Sequence, residues 1–254
     1  MVSIIITTKN EADVIGRLLK SLKIQSLKHI EIIVVDNNSQ DATKEIARKL
    51  GTQGYSLGPE RSVQRNFGAK KAKGKYFLFL DADMELSKSV LRECVDVCGG
   101  GDDIGAVVIP EESKGVGFWE RVKAFERSFY NKRGDEIIDA ARFFKRQAFV
   151  SAGGYDETIT GPEDWDLPET VKKLGFKIGR IKSVIYHHER IDSPFDLAKK
   201  KFYYALRSHH YLSKHSISVI SPKTIYFLRP VFYRNFDKIL AHPILSLGMI
   251  IMLT

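Results

Sequence analysis

Three times within the first 85 residues an unbroken apolar run stops at a cluster of polar side chains. Ile4-Ile5-Ile6 precedes Thr7-Thr8-Lys9-Asn10-Glu11, Ile32-Ile33-Val34-Val35 precedes Asp36-Asn37-Asn38-Ser39, and Phe77-Leu78-Phe79-Leu80 precedes Asp81-Ala82-Asp83. Runs without polar alternation are the pattern of strands buried on both faces. Helical patterns separate them. Val14, Ile15, Leu18, Leu19 and Leu22 form an apolar stripe at helical spacing, and Asn10 is placed to cap it, with Asp13 three residues on. Further helices over residues 41–50 and 60–72, the second stopped by Gly74, flank a short strand near 54–57. This rhythm predicts an α/β fold with a mostly parallel, Rossmann-like sheet and right-handed crossovers. Ligands of such sheets bind at the carboxyl ends of the strands, which here are the polar clusters.

The second half is less regular. Helices are expected over 87–98, 118–132 and 163–174, strands over 104–110 and 137–145, and one or two strands within 177–188. From 194 to 215, Phe195, Ala198, Phe202, Leu206 and Leu212 predict one amphipathic helix. The 254 residues, 43% hydrophobic and 28% charged, suffice for a buried core and exclude a disordered chain. Cys94 and Cys98, the two cysteines, exclude a disulfide framework and a Cys-based zinc site, which fits a reduced, cytosol-facing protein. The first residues enter a strand with no basic leader, so no signal peptide is expected. Residues 171–254 hold 15 basic and 4 acidic side chains, while the first 170 hold 25 and 27. Ten of the 27 aromatic residues fall between Phe195 and Phe236. A basic, aromatic C-terminal third suits an anionic partner, either nucleic acid or a lipid headgroup surface.

Asp81 and Asp83, two residues apart at a strand end, can face the same way. So placed, they can share a hard divalent cation that binds a diphosphate; the plainer alternative is a solvated turn. Asp36, in the corresponding position after the second strand, can accept hydrogen bonds from a nucleoside. No G-x-G-x-x-G follows the first strand, which counts against a dinucleotide dehydrogenase, and no Walker A sequence exists. Glu163, Asp164 and Asp166, with Trp165 among them, open a helix after Gly161. Three carboxylates exceed what a cap needs, so one is a candidate general base. His187-His188 at a strand end can supply a metal ligand, contact a phosphate or stand plainly at the surface.

These motifs, in this order, resemble the family-2 glycosyltransferases of GT-A fold. The matching stretches include 4–11, 33–43, Arg65-Asn66-Phe67-Gly68-Ala69, 74–83, Gly153-Gly154-Tyr155-Asp156-Glu157, Glu163-Asp164-Trp165-Asp166-Leu167 and 174–178, and they span residues 2–188. The resemblance implies a catalytic domain over 1–190, with a nucleotide-binding half at 1–85 and an acceptor half at 86–190. A C-terminal helical extension at 191–254 follows. It implies a nucleotide-sugar donor, with UDP or GDP left open, and inversion at the anomeric carbon. Thr7, Asn10 or Glu11, and Asp36 would hold the nucleoside, and Arg61 or Arg65 would lie near the base or diphosphate. Asp81 and Asp83 would hold Mg²⁺ or Mn²⁺, Asp83 as the direct ligand, and His188 would complete the metal site. Asp164 would deprotonate the acceptor, beside Glu163 and Trp165. Many members carry a proline before the polar end of the first strand; Thr7-Thr8-Lys9 stands there instead.

The run 243–253 is apolar throughout. Eleven residues fall short of the about 20 that span a bilayer. The run is then a core or dimer helix, an interfacial anchor, or the start of a longer membrane helix. With the basic aromatic stretch before it, this favours a platform on the cytoplasmic face of a membrane and a lipid-linked acceptor, such as a polyprenyl or dolichyl phosphate. Two rivals are a nucleic-acid-binding protein, for which no recognition signature is present, and a nucleotidyltransferase, which would need a Gly-rich basic loop where residues 7–11 stand.

Overall fold

The structure, a computed structural model, describes residues 1–131, 134, 139–191 and 193–253. Among the described residues ten strands run in chain order: β1 (Val2–Thr8), β2 (Ile30–Asp36), β3 (Gln53–Ser56), β4 (Tyr76–Asp81), β5 (Met84–Leu86), β6 (Ile104–Val108), β7 (Glu111–Lys114), β8 (Ala141–Lys145), β9 (Lys177–Arg180) and β10 (Ile185–His188). Seven of them form one sheet in the order β3-β2-β1-β4-β8-β6-β9. All its pairings are parallel except those of β8, which runs antiparallel to β4 and β6. The apolar runs become its inner strands because both faces are covered. Ile4 and Ile6 pack against helices Ala12–Lys23 and Val90–Gly99. Ile5 and Phe79 face the opposite way, toward helices Arg61–Lys71, Arg146–Ser151 and Glu163–Lys173.

Register aligns the polar ends. Thr7 lies opposite Val35 and Asp81, and Thr8 opposite Asp36. A second sheet, β5-β10-β7, stands beside this edge, with β10 antiparallel to β5 and parallel to β7.

Several sequence expectations need correction. Asn10 does not cap the first helix. It adopts a left-handed φ of 55°, and its Oδ1 accepts a hydrogen bond from the Gln40 amide. The loop after β2 caps instead, with Thr43 Oγ1 accepting from the Glu11 amide and Asp41 Oδ2 from the Ala12 amide. The helix expected over 118–132 ends at Arg127, and the strand expected from 137 starts at Ala141; residues 132, 137 and 138 lie outside the described residues. The single helix expected over 194–215 is two, Pro194–Arg207 and His209–Lys214, because each follows its own anchors. Arg207 reaches Glu60, whereas Lys214 and His215 reach Asp166.

Beyond them, Val231, Phe232, Met249 and Met252 close a third apolar cluster with Val122, Phe125 and Phe129 of the helix at Phe118–Arg127 and the turn after it. Among the described residues, no helix is long and apolar enough to cross a membrane.

Candidate active site

A cleft of about 630 Å³ opens over the carboxyl ends of β1 and β4. Thr7 and Glu11 line it from β1 and the turn after it, and Asp81 and Asp83 from the end of β4. Arg61 reaches it from the helix that follows β3, and Asp164 from the first turn of helix Glu163–Lys173. The C-terminal segment contributes Leu197, Lys201, Tyr204 and Tyr226. A second hollow of about 210 Å³ shares Lys123, Arg127, Arg142, Asp164 and Tyr226 with the cleft and adds Trp165 and Arg229.

Two guanidinium groups organise the acids. Arg65 is fully buried; its Nη1 donates to Asp164 Oδ1 at 2.6 Å and its Nη2 to Asp81 Oδ1 at 3.2 Å, and its Cζ stands 4.9 Å from the Tyr155 ring centre. Arg142 donates from Nε to Glu111 Oε1 at 2.7 Å, with Nη1 3.6 Å from Asp81 Oδ2 and 4.0 Å from Asp164 Oδ2. Burial alone would raise the Asp81 carboxyl, but Arg65 and Arg142 hold it far below the usual carboxylate range. Glu111 is likewise held low against burial, first by Arg142. Burial would lower the Arg65 guanidinium, and Asp164, with other neighbours, holds it well above its ordinary value.

Asp83 is placed differently. Its Oδ2 lies 3.3 Å from His187 Nε2, and its Oδ1 is buried without a hydrogen-bond partner. Burial would raise this carboxyl, and His187 lowers it below its ordinary value. Burial and Arg127 act to lower His187, but the bonds to Asp83 and Glu111 hold it at about 9. The structure thus brings His187, not His188, to the aspartate pair. Side chains alternate along β10, so His188 faces the other side and meets Glu85 at 2.9 Å. Among the described residues, no three His, Cys, Asp or Glu side chains form a complete metal cage. Asp83 lines the cleft with one hard oxygen left without a partner, which fits a cation whose other ligands come from a diphosphate and water.

The remaining predicted residues divide. Glu11 lines the cleft and pairs with Arg190. Asp36 is buried, and both its oxygens are occupied: Oδ1 accepts from Thr8 Oγ1 at 2.8 Å and from Ser39 Oγ, and Oδ2 from the Ser39 amide. Glu163 is buried, with Oε1 3.1 Å from Arg61 Nη2 and Oε2 accepting from the Gly161 amide. Trp165 lines only the second hollow. Sequence reasoning missed Arg142, Arg127 and Lys123, and it named His187 only as one of a histidine pair. Arg142 did leave a signal, a lone charge inside the apolar run Ala141-Arg142-Phe143-Phe144, which a buried strand tolerates only with a carboxylate at hand.

Comparison with known proteins gives three kinds of match. The family model described as glycosyl transferase family 2 matches residues 3–152. Glycosyltransferase AglE of Haloferax volcanii is 35% identical over 218 residues, which cover 79% of this chain and 70% of that protein. A Campylobacter jejuni protein, GalNAc(5)-diNAcBac-PP-undecaprenol beta-1,3-glucosyltransferase, is 34% identical over 109 residues, 39% of this chain and 35% of that one. Among solved structures, the mannosyltransferase PcManGT from Pyrobaculum calidifontis, in complex with GDP-Man and Mn²⁺, superposes with a TM-score of 0.66 at 17% identity, covering 97% of this chain and 73% of that one. Against three further curated relatives the chain spans only 27% to 62% of their length.

Proposed function

The chain belongs to glycosyl transferase family 2 and has its α/β GT-A fold, and from that premise we propose a metal-dependent, inverting transfer of a sugar from a UDP or GDP donor to a lipid-linked acceptor. The observation that carries this reading is the convergence of Asp81, Asp83 and Asp164 on one cleft at the strand ends. The GDP-Man and Mn²⁺ of the superposed mannosyltransferase support the donor and metal classes. The undecaprenol-linked acceptor in the name of the Campylobacter relative supports the acceptor class.

Inversion needs the attacking hydroxyl and the leaving diphosphate on opposite sides of the anomeric carbon. Asp83 would hold Mg²⁺ or Mn²⁺, with Asp81 beside it already engaged by Arg65 and Arg142. When bound, that ion supplies positive charge to the departing diphosphate. On the same side Arg127, with Nη1 2.6 Å from His187 Nδ1, lines the cleft and adds positive charge, and His187 Nε2 faces Asp83 at 3.3 Å. Asp164 has one oxygen tied to Arg65, so Oδ2, 4.0 Å from Arg142, is the atom left to take the acceptor's proton. Thr7 and Glu11, which line the cleft, would hold the nucleoside. Asp36 acts through the turn it holds, not by direct contact. Residues 191–253 are proposed to rest on the cytoplasmic leaflet.

The test is a thermal-shift series with UDP- and GDP-sugars, with and without Mn²⁺. One donor class should raise the melting temperature when Mn²⁺ is present and lose that effect in EDTA. Asp83→Asn should abolish the metal-dependent part. No shift with any nucleotide sugar, or release of pyrophosphate in place of nucleoside diphosphate during turnover, sinks the reading.

A further inference from the structure

Where the cleft joins the second hollow the walls turn basic, and two cations there lack an acid of their own. Lys201 lines the cleft, Arg229 the hollow, and Lys123 and Tyr226 both. Lys201 Nζ donates to the Met252 carbonyl oxygen at 2.6 Å, and Arg229 Nε to the Pro222 carbonyl oxygen at 3.0 Å. Among the described residues neither makes an ion pair. Both cations sit by one ring, Arg229 Cζ 3.9 Å and Lys201 Nζ 5.2 Å from the Tyr226 centre. Arg229 is 2% exposed, and its Nη2 is buried with no hydrogen-bond partner. Lys123 has an acid, Glu126 at 2.7 Å, but Tyr130 donates to the other oxygen of that carboxylate. Burial first, and then the charge of Lys123, push the Lys201 ammonium down to about 8.

A buried guanidinium with an idle donor and an ammonium held by one carbonyl are both costly unless an anion completes them. The three cations call for more than one negative charge. A phosphate monoester or a diphosphate carries that charge and offers several acceptor oxygens; a single carboxylate does not. Asp164 lines both spaces, whereas Asp83 lines only the cleft. Of the three cations Arg229 lines only the hollow, so the basic corner runs from the cleft past the base into a space that Asp83 does not border. Resting on the glycosyltransferase reading, we propose that Lys123, Lys201 and Arg229 form a binding site for a phosphate or diphosphate group carried by the acceptor. The C-terminal segment, which supplies two of the three, is then part of acceptor recognition.

Calorimetric titration of the full chain tests this. The probes are inorganic pyrophosphate, farnesyl diphosphate and farnesol, all in EDTA so that no divalent ion links a probe to Asp83. Both diphosphates should bind and farnesol should not. Lys201→Met should weaken both by about ten-fold or more, the size of a lost charge-assisted bond. Arg229→Lys keeps the charge but loses the planar fork, and should weaken them by less. Tighter binding of farnesyl diphosphate than of pyrophosphate supports the site with an isoprenoid acceptor, and equal binding supports it with the phosphate group alone. Nucleotide titration in Mn²⁺ on the same variants reports that they fold. The proposal is overturned if wild type binds nucleotide but neither diphosphate, or if Lys201→Met binds both diphosphates as tightly as wild type. Failure of every nucleotide to bind removes the glycosyltransferase reading instead, and the pyrophosphate titration still decides the anion site.

Discussion

Arg65 binds carboxylates from two distant parts of the chain, Asp81 at the end of β4 and Asp164 at the start of a helix, and has no contact with water. Arg65→Met keeps the stem but leaves Asp81, Asp164 and the buried Glu163 without their shared cation. It should cost about 3–5 kcal/mol, read as a lower urea midpoint at unchanged m-value. The acid side follows with its sign. Asp81 has a depressed folded pKa, so its contribution is present above the unfolded value near about 4 and is lost as pH falls below it. Wild type should therefore lose more stability than Arg65→Met between about pH 4 and pH 2. Asp164→Asn separates chemistry from binding. Turnover should fall by about two orders of magnitude or more while donor affinity, titrated by calorimetry, stays near wild type; a parallel loss of donor affinity makes Asp164 a binding residue. Of these side chains, Asp81, Asp83 and Asp164 were legible because each ends or begins an element with a clear pattern. His187 was not separable from His188, since which of the two faces the cleft depends on the pairing of β10 with β5 and β7, and that pairing leaves no local trace.

Helix Arg61–Lys71 carries Arg61 and Arg65 and reaches the sheet through Gly68. A Cβ there would lie 2.5 Å from Ile5 Cγ2 and 3.3 Å from Val35 Cγ2. Gly68→Ala gains helix propensity of about 1 kcal/mol, but the contact with β1 forces the helix or Ile5 to move, at about 1–3 kcal/mol. The net result should be destabilisation, seen in urea melts. Ile5→Ala opens the space, so the double variant should cost less than the sum of the two singles. Additive costs would place the clash elsewhere. The strands β1, β2 and β4 were readable because a strand buried on both faces announces itself by an unbroken apolar run. β5 and β7, of three and four residues, were not, nor was the reversed direction of β8. Antiparallel pairing is set by the path of the chain between strands and not by the residues within them. Arg142 depends on that reversal for its place beside Asp81 and Glu111.

At the scale of the whole molecule, the basic tail engages most of its described charge in bonds within the chain. Arg207 pairs with Glu60, Lys214 with Asp156 and Asp166, and Lys223 with Glu169; Lys238 donates to Ser128, and Arg229 is buried. The sequence shows only where the charge lies along the chain, and its partners come from elements more than 40 residues away. Lys199 and Arg234 stay exposed, and at about 1 kcal/mol each on an anionic leaflet they contribute little. The outward face of the last helix is apolar. Ile244, Leu247 and Ile251 stand at one helical face of Pro243–Leu253 and are 72%, 61% and 53% exposed, with Leu240 at 64% just before them. Membrane attachment, as proposed, must then rest on apolar insertion more than on charge. Co-sedimentation of the full chain should show binding to phosphatidylcholine vesicles as well as to vesicles containing phosphatidylglycerol, with only a shallow loss as salt rises. The triple change Ile244→Ser, Leu247→Ser, Ile251→Ser touches no cleft residue and should release the chain from both, at unchanged melting temperature. A chain that stays in the supernatant with both vesicle types, or a triple variant that sediments as wild type does, removes the membrane from this surface; the apolar face then needs a protein partner, since exposed side chains of this size in one helical stripe mark an interface.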